Sequence, residues 1–356
     1  MTDQRNFKRL VRDRMARTGE RYTTARAHVL AADPASTANQ ASGPSGRFRG
    51  VIAIGGQQPD LAAARNLCAN AGVRGPDGGP LTEAMAFGLA GGLGFLYGVF
   101  SYDDGPTMTI VARHDSMPDP FCEPLFGRVG AEVDIATTGG AKKAAATLDA
   151  VLADERPALC TVGAGALPYL GESEAMAGMA PHVVGVVGLT DDGSVLVDDR
   201  APTPIPVDRP TFDTARAAYT KAKHRLITVS AVDPDHDWAA AMVDAVETAP
   251  ARFDEPPVPQ FAANVGLAGL TKWQRLLTAT GDAKGWPKVF AAGRDAAIGL
   301  SRLHDCIDHA YTAPAAGRPL YADFLAEAGA VVGGEPARRW REAAERFRVS
   351  GESWRA

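Results

Sequence analysis

The sequence predicts an α+β domain followed by a mostly α-helical domain. Three observations carry this. Up to about Asp208, short apolar runs rich in β-branched residues alternate with helix-like segments. Two of those runs, Val183–Leu189 and Ser194–Asp198, flank the tetrapeptide Thr-Asp-Asp-Gly, in which Asp192-Gly193 is a hairpin signal. Beyond Asp208, one segment after another places apolar residues at helical spacing. The predicted boundaries are a basic arm and linker over 1–46, the α+β domain over 47–208 and the helical domain over 209–356.

In chain order, residues 3–30 read as two short helices, with Phe7, Leu10, Val11 and Met15 on one stripe and Gly19 as the break. Eight Lys/Arg against three Asp/Glu give Met1–Leu30 a net charge of +5 within a chain of −5, so the remainder carries −10. The linker Ala32–Gly46 is built of small polar residues with Pro and Gly. Gly50–Gly56 (GVIAIGG) is a strand candidate, and Asp60 stands as N-cap of a helix that Gly72 closes. Thr82 caps the next helix, which runs into the glycine-rich stretch Gly88–Gly98. Thr107–His114 and Pro157–Gly165 are strands, with a helix over Ala144–Glu155 between them. The helical domain follows as segments beginning at Phe212, His236, Leu267, Trp286, Leu320 and Ala337.

Composition excludes some classes. Apolar content of 46% and charged content of 22% fit a soluble globular chain. No apolar run approaches the roughly 20 residues of a membrane span, and the charged N-terminus lacks a signal-peptide core. Four scattered cysteines (Cys68, Cys122, Cys160, Cys306) form no CxxC motif. They point to a reducing, cytoplasmic setting without a structural zinc. The acidic body makes nucleic acid an unexpected partner, and Gly88–Gly98 lacks both a P-loop and a GxGxxG pattern.

The strongest chemical constellation lies on the hairpin. The start of one strand lies beside the end of the next, so His182 can meet Asp198 or Asp199, and strand alternation lets only one of the two face it. A carboxylate that fixes a histidine tautomer is the rear half of a nucleophilic triad. A helix-borne nucleophile, then a histidine at a strand start, then an acidic residue on the next strand is the papain-like order. The helix beginning at Asp60 occupies the nucleophile's sequential place. Asp60 itself reads first as a helix cap and second as a catalytic carboxylate.

Six motifs in this order then carry a resemblance: PDLAAARNLCANAG (59–72), FGLAGGLGFLYGVF (87–100), HVVGVVGLTDDGSVLVDDR (182–200), NVGLAGLTKW (264–273), LYADFLAEAG (320–329) and RFRVSGESW (346–354). The chain resembles the butirosin biosynthesis protein H family, with a papain-like N-terminal domain and an uncharacterised helical domain joined to it. The resemblance implies acyl or aminoacyl transfer in specialised metabolism, from an acyl carrier protein through a cysteine thioester. It implies His182 as base and Asp199 as its orienter. The family's His-Cys at the first helix does not carry over, because Pro59 and Asp60 stand there. Cys68 lies eight residues on, about 12 Å along a helix. Gln58, Gly92, Phe95 and Tyr97 are the candidate binding residues, since the glycine-rich segment lies beside the site in family members. The alternative is a catalytically inactive relative that binds a small molecule or peptide in the old cleft. No cofactor is expected, and self-association is left open.

Two further clusters are weighed as metal ligands and set aside. HDCIDH offers His304 with Asp308 and Asp305 with His309 at i,i+4, but no third ligand motif accompanies it. DPDHDW around His236 reads as a helix start.

Overall fold

The computed structural model describes residues 50–58, 60–102, 105–114, 120–171, 178, 181–256 and 258–355. The basic arm expected over 1–46 and Pro59 lie outside them.

Helix α1 (Leu61–Asn70) is buried along almost its whole length and is followed by α2 (Glu83–Leu89). Thr82 caps α2, its hydroxyl accepting the Met85 N–H at 2.9 Å. The glycine-rich stretch then becomes a strand: β1 (Leu93–Tyr102) pairs antiparallel with β2 (Gly105–Arg113) in a separate two-stranded sheet. Gly94 is required there, because a Cβ would lie 2.4 Å from the Arg113 carbonyl oxygen across the ladder.

The main sheet draws on α3 (Glu123–Arg128), β3 (Ala131–Ala136), α4 (Ala141–Ala153), β4 (Ala158–Gly163), β5 (Pro181–Leu189), β6 (Val195–Asp198), β7 (Ile205–Val207), α5 (Arg209–Ala218) and β8 (Leu226–Val232). Its six strands run antiparallel in the order β3-β8-β4-β5-β6-β7. Both faces are covered. Leu159, Val183 and Ile227 join Leu61 and Leu67 of α1 in one core, while Cys160, Val184 and Val186 join Leu148 of α4 and Phe212 of α5 in another. This two-sided burial explains why β4 and β5 read as continuous apolar runs instead of alternating ones.

Two sequence expectations change here, and the hairpin holds. Gly50–Gly56 is not a strand, because side-chain amides take the bonds a ladder would need: Asn70 Oδ1 accepts the Ile52 N–H at 2.8 Å and Asn66 Oδ1 that of Ile54 at 3.2 Å. The hairpin turn spans Thr190–Gly193, with the left-handed position supplied by Gly193 (φ 83°). The sheet also outlasts the boundary at 208. β8 lies within the segment read as helical and is inserted between β3 and β4.

The remainder is helical: α6 (Trp238–Asp254), α7 (Gly266–Thr278), α8 (Trp286–Val289), α9 (Gly293–Asp308), α10 (Arg318–Val332) and α11 (Gly334–Arg355). Asp208 and Asp237 cap α5 and α6, accepting backbone N–H groups at 3.0 Å. His236 accordingly sits at a helix start, its Nε2 2.9 Å from the Arg128 carbonyl oxygen. The helices clasp the β1–β2 hairpin: Phe95, Tyr97, Met108 and Ile110 share a core with Leu276, Phe290 and Cys306. Among the described residues no helix is long and apolar enough to cross a membrane.

Candidate functional site

Asp60 holds the N-terminal position of α1 but does not cap it. Its backbone is left-handed (φ 71°, ψ −30°) and its side chain accepts no N–H of the helix. That conformation is costly for a residue with a Cβ. The carboxylate turns toward the sheet instead. Oδ1 accepts the Val183 N–H at 2.9 Å and Oδ2 accepts from Arg113 Nη2 at 2.7 Å. The expectation of a simple cap is therefore corrected, since the side chain is committed to a strand and a buried guanidinium.

His182 is the second residue of β5, and its Nε2 is 2.9 Å from Asp199 Oδ2. The same Oδ2 accepts the Tyr169 hydroxyl at 3.0 Å. On the other side of the ring, Nδ1 is 3.6 Å from Asp60 Oδ1, an ion-pair distance rather than a hydrogen bond. The imidazole thus lies between two carboxylates, with Asp60, His182 and Asp199 all under 8% exposed. Burial pulls the His182 imidazole down, but Asp199 and then Asp60 outweigh it and hold it above the ordinary histidine value. Burial pushes Asp199 up, while His182 and Arg200 bring it below the usual carboxylate range.

Asp198, the competing carboxylate, faces away into a different network. Asn66 Nδ2 donates to its two oxygens at 3.1 and 3.0 Å. Burial pushes its carboxyl up to about 7, against the pull of the Asn66 amide. Strand alternation selects Asp199 as the partner of His182.

The four candidate binding residues each pack against other parts of the chain. Gln58 is fully buried, with Nε2 donating to the Tyr311 carbonyl at 3.2 Å and Oε1 accepting the Ala313 N–H at 2.7 Å. Its amide ties the loop before α1 to the helical half. Gly92 (φ 68°) lets Tyr321 approach, since a Cβ there would fall 2.6 Å from that ring. Phe95 packs on Trp273 with ring centroids 5.9 Å apart, and the Tyr97 hydroxyl accepts from Trp286 Nε1 at 2.8 Å. Their contacts are those of an interface between the hairpin and the helices.

Sequence reasoning passed over Arg113, Tyr169 and Cys122. Arg113 carried one weak signal, a cation closing an apolar strand. All four cysteines are buried. Burial pushes the Cys68 thiol up to about 12. It also drives Cys122 well above the thiol range, with Asp60's charge adding to the effect. Both shifts favour the neutral thiol over the thiolate.

An antiparallel sheet packed on a leading helix, with a histidine at a strand start and an aspartate just past the end of the next strand, defines a papain-like α+β protein joined to a helical domain. The family models agree. Butirosin biosynthesis protein H, N-terminal, matches residues 59–200, and domain of unknown function DUF4872 matches residues 212–356. The chain belongs to the butirosin biosynthesis protein H family, a biosynthetic, acyl-transfer-related group. No curated protein matches the chain.

Proposed function

We propose that this chain is a non-covalent member of its acyl-transfer-related family. It recognises a small molecule or peptide of specialised metabolism in the family's cleft and carries no acyl group on cysteine. The supporting observation is the imidazole held between two carboxylates. A base that activates a nucleophile must offer that nucleophile a lone pair. Asp199 sits at hydrogen-bond distance from Nε2 and Asp60 faces Nδ1 at ion-pair distance, and together they favour the charged form of the His182 ring. An imidazolium has no lone pair to offer. The place ahead of α1 is filled by a carboxylate whose oxygens are taken by Arg113 and Val183.

The test is intact-protein mass after incubation with a panel of acyl thioesters. The native chain stays unmodified, and Asp60→Cys gains an acyl adduct that the additional His182→Ala change removes. An adduct on the native chain would sink the non-covalent reading.

One observation favours a second reading, transfer through Asp60. Its left-handed backbone is the kind of strain that collects at reacting groups. Here the Asp60 oxygen would attack the thioester carbonyl and the C–S bond would break. His182 would give its proton to the leaving thiolate; an amine would then attack the acyl carbon, the C–O bond to Asp60 would break to restore the carboxylate, and the amine's proton would return to His182. That reading requires an adduct on the native chain that Asp60→Asn abolishes.

A further inference from the structure

His304 and His309 are five residues apart, one more than the spacing that stacks side chains on a helix face. Helix α9 ends at Asp308, and His309 leaves it with φ −139° and ψ −48°. The turn brings the two rings together, with centroids 4.8 Å apart at 84° and the two Nε2 atoms 3.3 Å apart. On the far side of its ring, His304 Nδ1 is 3.1 Å from Asp308 Oδ2. A carboxylate there keeps the proton on Nδ1 and leaves Nε2 its lone pair, the second-shell arrangement of metal-bound histidines.

The separation of the nitrogens discriminates between two roles. At 3.3 Å it is longer than an ordinary hydrogen bond. Two ligands of a tetrahedral ion with Zn–N of about 2.0–2.1 Å stand about 3.3–3.4 Å apart. Asp305 and Asp308 add negative charge beside His309, against the positive charge of Arg200.

We propose that His304 and His309 form an open two-histidine site for a divalent transition-metal ion of the zinc class, with Asp308 orienting His304. Among the described residues no group of three or more His, Cys, Asp or Glu is arranged to hold a metal. The two imidazoles are therefore the ligands this site offers, and the remaining positions fall to water or to donor atoms of a bound molecule. The site is tied to the Asp60–His182–Asp199 cluster through the backbone. Arg200, next to Asp199, donates from Nη1 to the His309 carbonyl at 3.1 Å. Gln58, two residues before Asp60, holds Tyr311 and Ala313 of the same turn. The proposal rests on this geometry and is independent of the non-covalent reading.

The experiment is zinc titration of the untagged full chain in competition with a chromophoric chelator, beside His304→Ala, His309→Ala and Asp308→Asn. The native chain should bind one zinc, and either alanine should weaken binding at least tenfold. Asp308→Asn should weaken it by roughly tenfold through loss of the orienting carboxylate. Zinc should raise Tm most in the native chain, less in Asp308→Asn and least in the two alanine variants. Absence of stoichiometric binding, or equal affinity in the native chain and both alanine variants, overturns the site. Both histidines sit at a helix end on the surface side, so circular dichroism of the variants should match the native chain.

Discussion

Asp60→Asn separates an ion cluster from a helix cap in one substitution. Asparagine and aspartate are about equally good caps, so a capping role predicts a change of a few tenths of a kcal/mol. The cluster predicts far more. Asparagine keeps one oxygen for the Val183 N–H but removes the charge that faces Arg113 at 2.7 Å and His182 at 3.6 Å. Arg113 and Asp60 are each 8% exposed at the side chain, and breaking a buried pair by removing one partner's charge costs about 3–5 kcal/mol. Stacking of the Arg113 guanidinium on Phe121, 4.7 Å from the ring centroid, survives and recovers part of this. The expected loss is about 3 kcal/mol, read from urea midpoints at pH 7 with the slope unchanged. Arg113→Met in the Asp60→Asn background should then cost less than Arg113→Met alone, because the pair is already broken. A loss under about 1 kcal/mol for Asp60→Asn, within the range of a cap change, would refute the cluster.

Other outcomes follow from the same geometry. Asp198 has its folded carboxyl raised from 3.8 to about 7, so the native state holds the proton longer than the unfolded chain. Stability should therefore fall as pH rises from about 4 to about 7, by up to about 4 kcal/mol. Asp198→Asn should flatten that fall in urea midpoints compared at pH 5 and pH 8, and an unchanged fall would count against it. Gly88→Ala places a Cβ 2.1 Å from the Phe324 ring between α2 and α10. It should lower Tm by the equivalent of about 1–3 kcal/mol, and a neutral result would mean the two helices are not packed in this way.

Legibility of the site divided along local and non-local lines. That His182 would lie beside an aspartate of the next strand follows from hairpin topology alone, and period-two alternation reduces Asp198 and Asp199 to one partner. Which of them faces His182 depends on the bulge between Val186 and Gly188 and on Asn66 of α1, neither visible locally. The position of Asp60 ahead of a helix was legible from its neighbours. Its left-handed backbone was not, because the force that turns it comes from Arg113 and Val183, both distant in sequence. β8 shows the same limit. Leu226–Val232 is rich in β-branched residues, but its role as the strand between β3 and β4 is set by partners nearly a hundred and nearly seventy residues away. At α9, helical periodicity pairs His304 with Asp308, which the structure also pairs, and Asp305 with His309, whereas His309 turns toward His304 because the chain leaves the helix there.

The protonation state of His182 is the point on which the rest depends, and ¹⁵N NMR of its ring nitrogens between pH 5 and 9 measures it directly. A histidine held above its ordinary value contributes stability fully below the unfolded value of 6.5 and loses it as pH rises through the higher folded one. Clamped between Asp199 and Asp60, the ring should titrate above 6.5, with Asp60→Asn and Asp199→Asn each lowering that midpoint. A ring that titrates at or below 6.5, unmoved by either substitution, would contradict the clamp and return His182 to the role of a base.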